Sequence, residues 1–194
     1  MRADQREITN WLSKTIGNNS FNIQELRQEA SDRKYYRIKA DNGSYVLADN
    51  FDKTDQSANF LYASKILKNS SVNVPEVLAF SEDLRFLLLQ DLGDKSLDTN
   101  KEFKDEKILE MALEQLSKIY FSDQDVLRSA TKQSLLLQTN SFIDFCKENK
   151  LSNDEIKALE NLRNNLVQNL LNQQFIPSHN DFERRNLMMF EENL

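Results

Sequence analysis

A chain of 194 residues with 31 acidic and 25 basic side chains carries a net charge of −6. That acidic balance, with Lys and Arg scattered along the chain, argues against nucleic acid or a membrane surface as its main partner. The length suits one domain or a two-lobed one and is enough to bury a core. The single cysteine, Cys146, excludes a disulfide framework and a cysteine metal cluster. Its neighbours Phe142, Ile143 and Phe145 mark it as a small buried hydrophobe. No run is apolar enough to span a bilayer and the first residues are polar, so a reducing cytoplasm is the expected location. The three glycines, Gly17, Gly43 and Gly93, cannot form a G-x-G-x-x-G or Walker A loop. Any grip on phosphate must therefore use other backbone amides or basic side chains.

Ile8, Trp11, Leu12 and Ile16 recur at helical spacing and predict a first helix ending near Gly17. Phe21 to Ala30 has weak strand character, and Ser31-Asp32-Arg33-Lys34 reads as a polar turn. Tyr35 to Lys39 and Tyr45 to Ala48 are β-rich runs around Asp41-Asn42-Gly43-Ser44, a hairpin signal. Asp55 to Lys68 predicts a helix with Phe60, Leu61, Ser64 and Leu67 on one face. Val72 to Phe80 is extended around Pro75, and Arg85 to Gln90 reads as a buried strand broken by Asp91-Leu92-Gly93-Asp94. After that break the period becomes helical. Ile108/Leu109, Ala112/Leu113, Leu116 and Ile119/Tyr120 form one stripe, and Leu135 to Cys146 forms a second helix. Ser152-Asn153-Asp154-Glu155 is a capping box opening a third, with Ile156, Leu159, Leu162/Arg163, Leu166 and Leu170 inward. Strands first and helices later predict an α+β, two-lobed plan.

The stretch with most chemistry is Phe175 to Phe190, an apolar entry, then His179-Asn180-Asp181, four residues, Asn186 and an apolar run. In-line phosphoryl transfer needs a carboxylate near the attacking hydroxyl and an oxygen ligand on magnesium. Asp181 and Asn186 offer both at the kinase spacing H-x-D-x-x-x-x-N. The same residue types also occur in ordinary loops, so the motif needs a nucleotide site upstream. Arg184 and Arg185 fit a salt bridge better than a phosphate contact, and Met188-Met189 fits core packing.

With these residues assembled, the chain resembles the aminoglycoside phosphotransferase/choline kinase superfamily. Within it, the chain is most similar to bacterial kinases that phosphorylate the anomeric hydroxyl of N-acetylmuramate and N-acetylglucosamine in cell-wall recycling. Ser31 to Ile38, Ser44 to Asp49, Val72 to Ala79, Phe86 to Gly93 and the loop from His179 to Met188 carry the resemblance, in order. It implies a protein-kinase-like two-lobe fold. Residues 1–92 would form a β-rich nucleotide-binding lobe and residues 93–194 a helical catalytic lobe, incomplete after its catalytic loop. It implies ATP and Mg²⁺ as cofactors. Ser31, Arg33 and Lys34 would lie over the nucleotide phosphates, with the two cations neutralising charge, although they also read as plain solvated turn residues. Gln90, Asp91 and Leu92 would be the hinge whose backbone meets adenine. Asp181 would accept the proton of the sugar hydroxyl, Asn186 would ligate magnesium and His179 would hold the loop. An aminoglycoside or choline-like alcohol is the alternative acceptor.

The chain departs from that pattern in two places. Tyr45 to Ala48 holds no lysine and Gln56 to Lys68 holds no acid, so both partners of the usual lysine–glutamate pair are missing together. The chain also ends at Glu191-Glu192-Asn193-Leu194, where the resemblance implies a strand with a metal-binding Asp and acceptor-binding helices. A truncated or split kinase without independent activity, completed by a separate C-terminal polypeptide, is therefore a second expectation.

Overall fold

The computed structural model describes residues 5–17, 20–26, 33–51, 54–98, 106–122, 130–191 and 193–194. The chain divides into two compact units, Met1–Ser122 with Ser178–Leu194, and Asp123–Pro177. The first holds helix α1 (Gln5–Ile16), strands β1 (Phe21–Glu25), β2 (Lys34–Ala40) and β3 (Gly43–Asp49), helix α2 (Thr54–Asn69), strands β4 (Val77–Phe80) and β5 (Phe86–Gln90), and helix α3 (Glu106–Tyr120). The strands form one sheet in the order β1-β2-β3-β5-β4, every described pairing antiparallel.

Period-two alternation sorts the side chains onto two faces. Ile38, Leu47, Phe86 and Leu88 point to α1 and meet Ile8 and Leu12 in one core. Ala48, Leu87 and Leu89 point the other way, with Tyr35, Val46 and Val77, and meet Phe60 and Leu61 of α2. The run Phe86 to Leu89 is buried throughout because helices cover both faces of its strand. The β2–β3 hairpin forms as predicted, pairing Ala40 with Gly43. Its turn is Asp41-Asn42, and Gly43 (φ +149°) opens the next strand. Lys34, expected in a turn, is instead the first residue of β2 and pairs with Asp49.

The second unit holds α4 (Lys132–Gln138), α5 (Asn140–Glu148) and α6 (Asn153–Leu171). One helix was expected from Leu135 to Cys146, but it is broken at Thr139. The Thr139 hydroxyl bonds back to the carbonyls of Leu135 and Leu136, a competition that bends helices. Cys146 is buried, as expected. The capping box at Ser152 is present in full, with the Ser152 hydroxyl accepting from the Glu155 amide and the Glu155 carboxylate accepting from the Ser152 amide. Ser152→Ala is expected to lower the stability of this helical unit by about 1 kcal/mol, read as an earlier urea midpoint with unchanged m-value.

Two helices choose one apolar stripe over another. On α3 the residues turned inward are Ile108, Met111, Ala112, Gln115 and Ile119, while Leu109, Leu113, Leu116 and Tyr120 are exposed. On α6, Ile156 and Val167 are buried, whereas Leu162, Leu166 and Leu170, expected inward, are exposed. No helix among the described residues is long and apolar enough to cross a membrane.

Candidate active site

The loop that carries the predicted chemistry is held by its flanks. Leu187 accepts a backbone bond from Leu97 at 2.9 Å, and Met189 donates one to Lys95 at 2.9 Å. The segment after β5 is thereby stitched to the segment after the loop. Arg184 donates to the Leu97 carbonyl at 2.7 Å. Beneath them Leu97, Ala112 and Leu194 form a core with Phe182, Leu187 and Met189. Apolar residues flank the polar loop because they are its anchors.

Asp181 and Asn186 meet directly. Asn186 donates through Nδ2 to the Asp181 carboxylate at 2.7 Å and to the Asp181 carbonyl at 3.0 Å. A single 3₁₀ turn, Arg184–Asn186, closes the distance. Asn180 enters the loop with φ +64°, a left-handed conformation that Asn tolerates better than most residues. The His179 ring stands edge-on to Phe182, centroids 5.8 Å apart. Asp181 and Asn186 are both exposed. The Asn186 amide turns its nitrogen towards Asp181, leaving its oxygen on the other side. Arg185 pairs with its neighbour Glu183, the salt-bridge role expected of it.

A cavity of about 510 Å³ lies beside this loop. Gln90 and Leu92, two of the three predicted hinge residues, border it together with His179, Phe182, Asn186 and Met188. Val74, Pro75 and Ile119 add apolar wall. Gln90 is fixed by Glu76, to which it donates its amide (2.9 Å) and from which its side-chain oxygen accepts (3.2 Å). An apolar cavity with a few convergent polar groups is the usual form of a small-molecule site.

Asp91 sends its carboxylate elsewhere. It accepts from Arg37 Nη2 at 3.1 Å, from the Ser44 hydroxyl and from the Gly93 amide at 2.9 Å, with Arg37 Nε at ion-pair distance, 2.8 Å, from its second oxygen. Burial alone would push this carboxyl up, but the bonds from Ser44, Gly93 and Arg37 outweigh it and hold the group below its ordinary range. Asp91 therefore has only its backbone left to offer a ligand.

Arg33 and Lys34 stand at the far end of the sheet from this hinge. Lys34 pairs with Asp49, whereas Gln90 pairs with Tyr45, four residues back along β3, a separation of roughly 14 Å along the strand. Arg33 bonds the Tyr35 hydroxyl and Gln56, and Lys34 pairs with Glu25 at 2.9 Å. Neither borders the cavity. Ser31 lies outside the described residues. The described residues contain no cluster of three or more His, Cys, Asp or Glu able to hold a metal. What is available is the Asn186 oxygen and the Asp181 carboxylate, both hard donors of the kind magnesium takes when nucleotide phosphates and waters complete its shell.

The sequence reading missed Arg37, whose partners lie 54 and 57 positions away. It also missed Asn73, which donates through its amide to Gln115 and through its side chain to the Leu194 carbonyl.

The chain is 26% identical over 196 residues to an N-acetylmuramate/N-acetylglucosamine kinase of Neisseria meningitidis serogroup B, covering 95% of this chain and 58% of that protein. It is 27% identical over 173 residues to the protein of the same name from Pseudomonas aeruginosa, covering 85% and 51%. The chain thus spans between half and three-fifths of these curated relatives. Among solved structures it is similar to aminoglycoside phosphotransferase APH(2'')-IIa in its ternary complex with streptomycin and ATP, with TM-score 0.64, 18% identity, and coverage of 100% of this chain and 69% of the other. It is also similar to ADP-bound APH(2'')-Ib, with TM-score 0.67, 18% identity, and coverage of 96% and 67%. These likenesses show an α+β, protein-kinase-like fold. The model of the phosphotransferase enzyme family matches residues 22–194, and the chain belongs to that family.

Proposed function

We propose that this protein transfers the γ-phosphoryl group of ATP to a hydroxyl of a small molecule, an amino sugar of the N-acetylmuramate or N-acetylglucosamine type. The observation that carries the reading is the Asp181–Asn186 contact at 2.7 Å, with Asn186 on the rim of a cavity that Gln90 and Leu92 also border. The acceptor class is supported by the names of the two curated relatives. On this reading residues 1–92 bind the nucleotide and residues 93–194 carry the chemistry.

The roles follow from chemistry. Asp181, held by Asn186, orients the acceptor hydroxyl and takes its proton as the bond to phosphorus forms. Asn186 would offer magnesium its amide oxygen, which faces away from the Asp181 carboxylate. The bound ion would neutralise charge on the nucleotide phosphates. The backbone of Gln90, Asp91 and Leu92 supports the base. Arg33 and Lys34 stand towards the opposite end of the sheet from the hinge, Lys34 roughly 14 Å along β3 from Gln90, and on this reading they would serve the phosphate end of the nucleotide.

A second reading has the same fold working only with a further polypeptide segment. It is favoured by the apolar surface that the described residues leave open, Leu109, Leu113 and Phe121 in the first unit and Phe142, Phe145, Leu162 and Leu166 in the second. Labelled phosphate transfer from Mg·ATP to N-acetylmuramate, N-acetylglucosamine and an aminoglycoside separates the readings. Transfer to either amino sugar is expected. Transfer to the aminoglycoside alone would reassign the acceptor. ATP binding without transfer to any acceptor would favour the second reading.

A further inference from the structure

Arg37 is the side chain that the proposed chemistry leaves unused although it is built into the hinge. It stands on β2, and its neighbour across the sheet is Val46 of β3, which pairs in turn with Leu89 of β5. Arg37 therefore reaches across an intervening strand, roughly 10 Å at ordinary strand spacing, to the segment that leaves β5. There it grips several points at once. Nη2 donates to Asp91 Oδ1 at 3.1 Å and to the Gly93 carbonyl at 3.0 Å, Nη1 donates to Asp94 at 2.8 Å, and Nε lies at ion-pair distance, 2.8 Å, from Asp91 Oδ2. Ser44 and the Gly93 amide complete the shell around Asp91. The side chains of Arg37 and Asp91 are only 12% and 7% exposed. A largely desolvated guanidinium that bonds Asp91, Asp94 and the Gly93 carbonyl together fixes geometry as well as adding energy. It closes on the segment between Gln90 and Gly93, which borders the cavity through Gln90 and Leu92. Gly93 itself adopts φ +80°, so the backbone here is bent into a shape that the ion pair secures.

We propose that Arg37 is a positioning residue for the nucleotide base. It holds the Gln90–Gly93 crossing in the conformation whose backbone meets the purine, and it does so without touching the ligand. The inference rests on the nucleotide-binding reading above. In the free protein the crossing is already set, so the base binds without first ordering it. Without Arg37 the competent conformation becomes a fraction of the ensemble, and every ligand that uses the crossing loses affinity by that fraction.

The test is direct binding, with no acceptor and no turnover. Dissociation constants for adenosine and for Mg·ATP are measured for the native chain, Arg37→Gln, Asp91→Asn and the double variant. Arg37→Gln is expected to weaken adenosine and Mg·ATP by the same factor, about tenfold for a crossing competent one-tenth of the time. The double variant should be no weaker than the worse single one. Exchange of the Gly93 amide, bonded to Asp91, should quicken in step. Ser44→Ala removes one bond to Asp91 and keeps the ion pair. It should weaken both ligands by a smaller common factor, which tests the idea even if Arg37→Gln does not fold. Unchanged constants in a folded variant overturn the proposal, as a purely structural ion pair would alter melting and leave affinity alone. A loss much larger for Mg·ATP than for adenosine also overturns it, because Arg37 would then be contacting phosphate. A native chain that binds neither ligand instead overturns the nucleotide reading itself.

Discussion

Replacing Asp181 by Asn is expected to lower phosphoryl transfer by about 10²–10⁴-fold, the usual contribution of a positioned general base. The substitution keeps the volume and can still accept from Asn186 through its carboxamide oxygen, so the bonds that Asn186 makes at 2.7 and 3.0 Å need not be lost. What disappears is the charge and the ability to take a proton. The turn is built from backbone and from Arg184, which bonds the Leu97 carbonyl at 2.7 Å, and neither depends on the Asp181 charge. The melting temperature should therefore stay close to that of the parent while turnover falls, and Mg·ATP affinity should change far less than turnover. Measuring initial rates at saturating nucleotide beside a thermal melt distinguishes these effects. A variant that retains full turnover would remove Asp181 from the chemistry and with it the assignment of the loop.

The loop could be read from the sequence because its chemistry is local, with both groups inside a single turn and a spacing that brings them together. The sheet could be read for a similar reason, since alternation in Tyr35 to Lys39 and Tyr45 to Ala48 and the unbroken run from Phe86 to Leu89 are local signals of half-buried and fully buried strands. The helices were harder. On α3 two apolar stripes lie side by side, and the structure buries the one that includes a polar residue, Gln115, which is 6% exposed. Gln115 is tolerated there because it accepts from the Asn73 amide at 2.9 Å, a partner 42 positions away that no periodicity can reveal. The break at Thr139 was hidden because Leu135 to Cys146 keeps helical spacing through it. Gln90, Asp91 and Leu92 could be singled out as a segment, and Gln90 and Leu92 do border the cavity, but the division of labour among them was not legible. The carboxylate of Asp91 belongs to Arg37, and the one available hint was an arginine on the strand face shared with Val46 and Leu89, where a charge needs a partner.

The place where typical kinases put a lysine on the third strand is also where the second large effect is expected. The last residue of β3 is Asp49, 5% exposed, and its cation comes from the next strand's approach: Arg85 holds it through Nε at 3.1 Å and reaches Glu7 of α1 through Nη1 at 2.9 Å. The guanidinium also lies over the rings of Phe51 and Phe86, at 4.6 and 4.9 Å. One cation thus joins α1, β3 and β5, and the carboxylate it neutralises has almost no access to water. Arg85→Met preserves much of the packing on the rings but leaves Asp49 buried and uncompensated, which is expected to cost about 3–5 kcal/mol. Removing both charges is a different matter, because Arg85→Met with Asp49→Leu leaves nothing to solvate, and buried pairs replaced by apolar groups of similar volume are often close to neutral. The double variant should therefore recover most of what the single one loses. Urea unfolding of the parent, both single variants and the double variant closes the cycle. A coupling near zero would mean that Asp49 and Arg85 are each satisfied without the other. A large one would show that the buried Asp49 depends on Arg85 for its compensation and that this ion pair serves the fold.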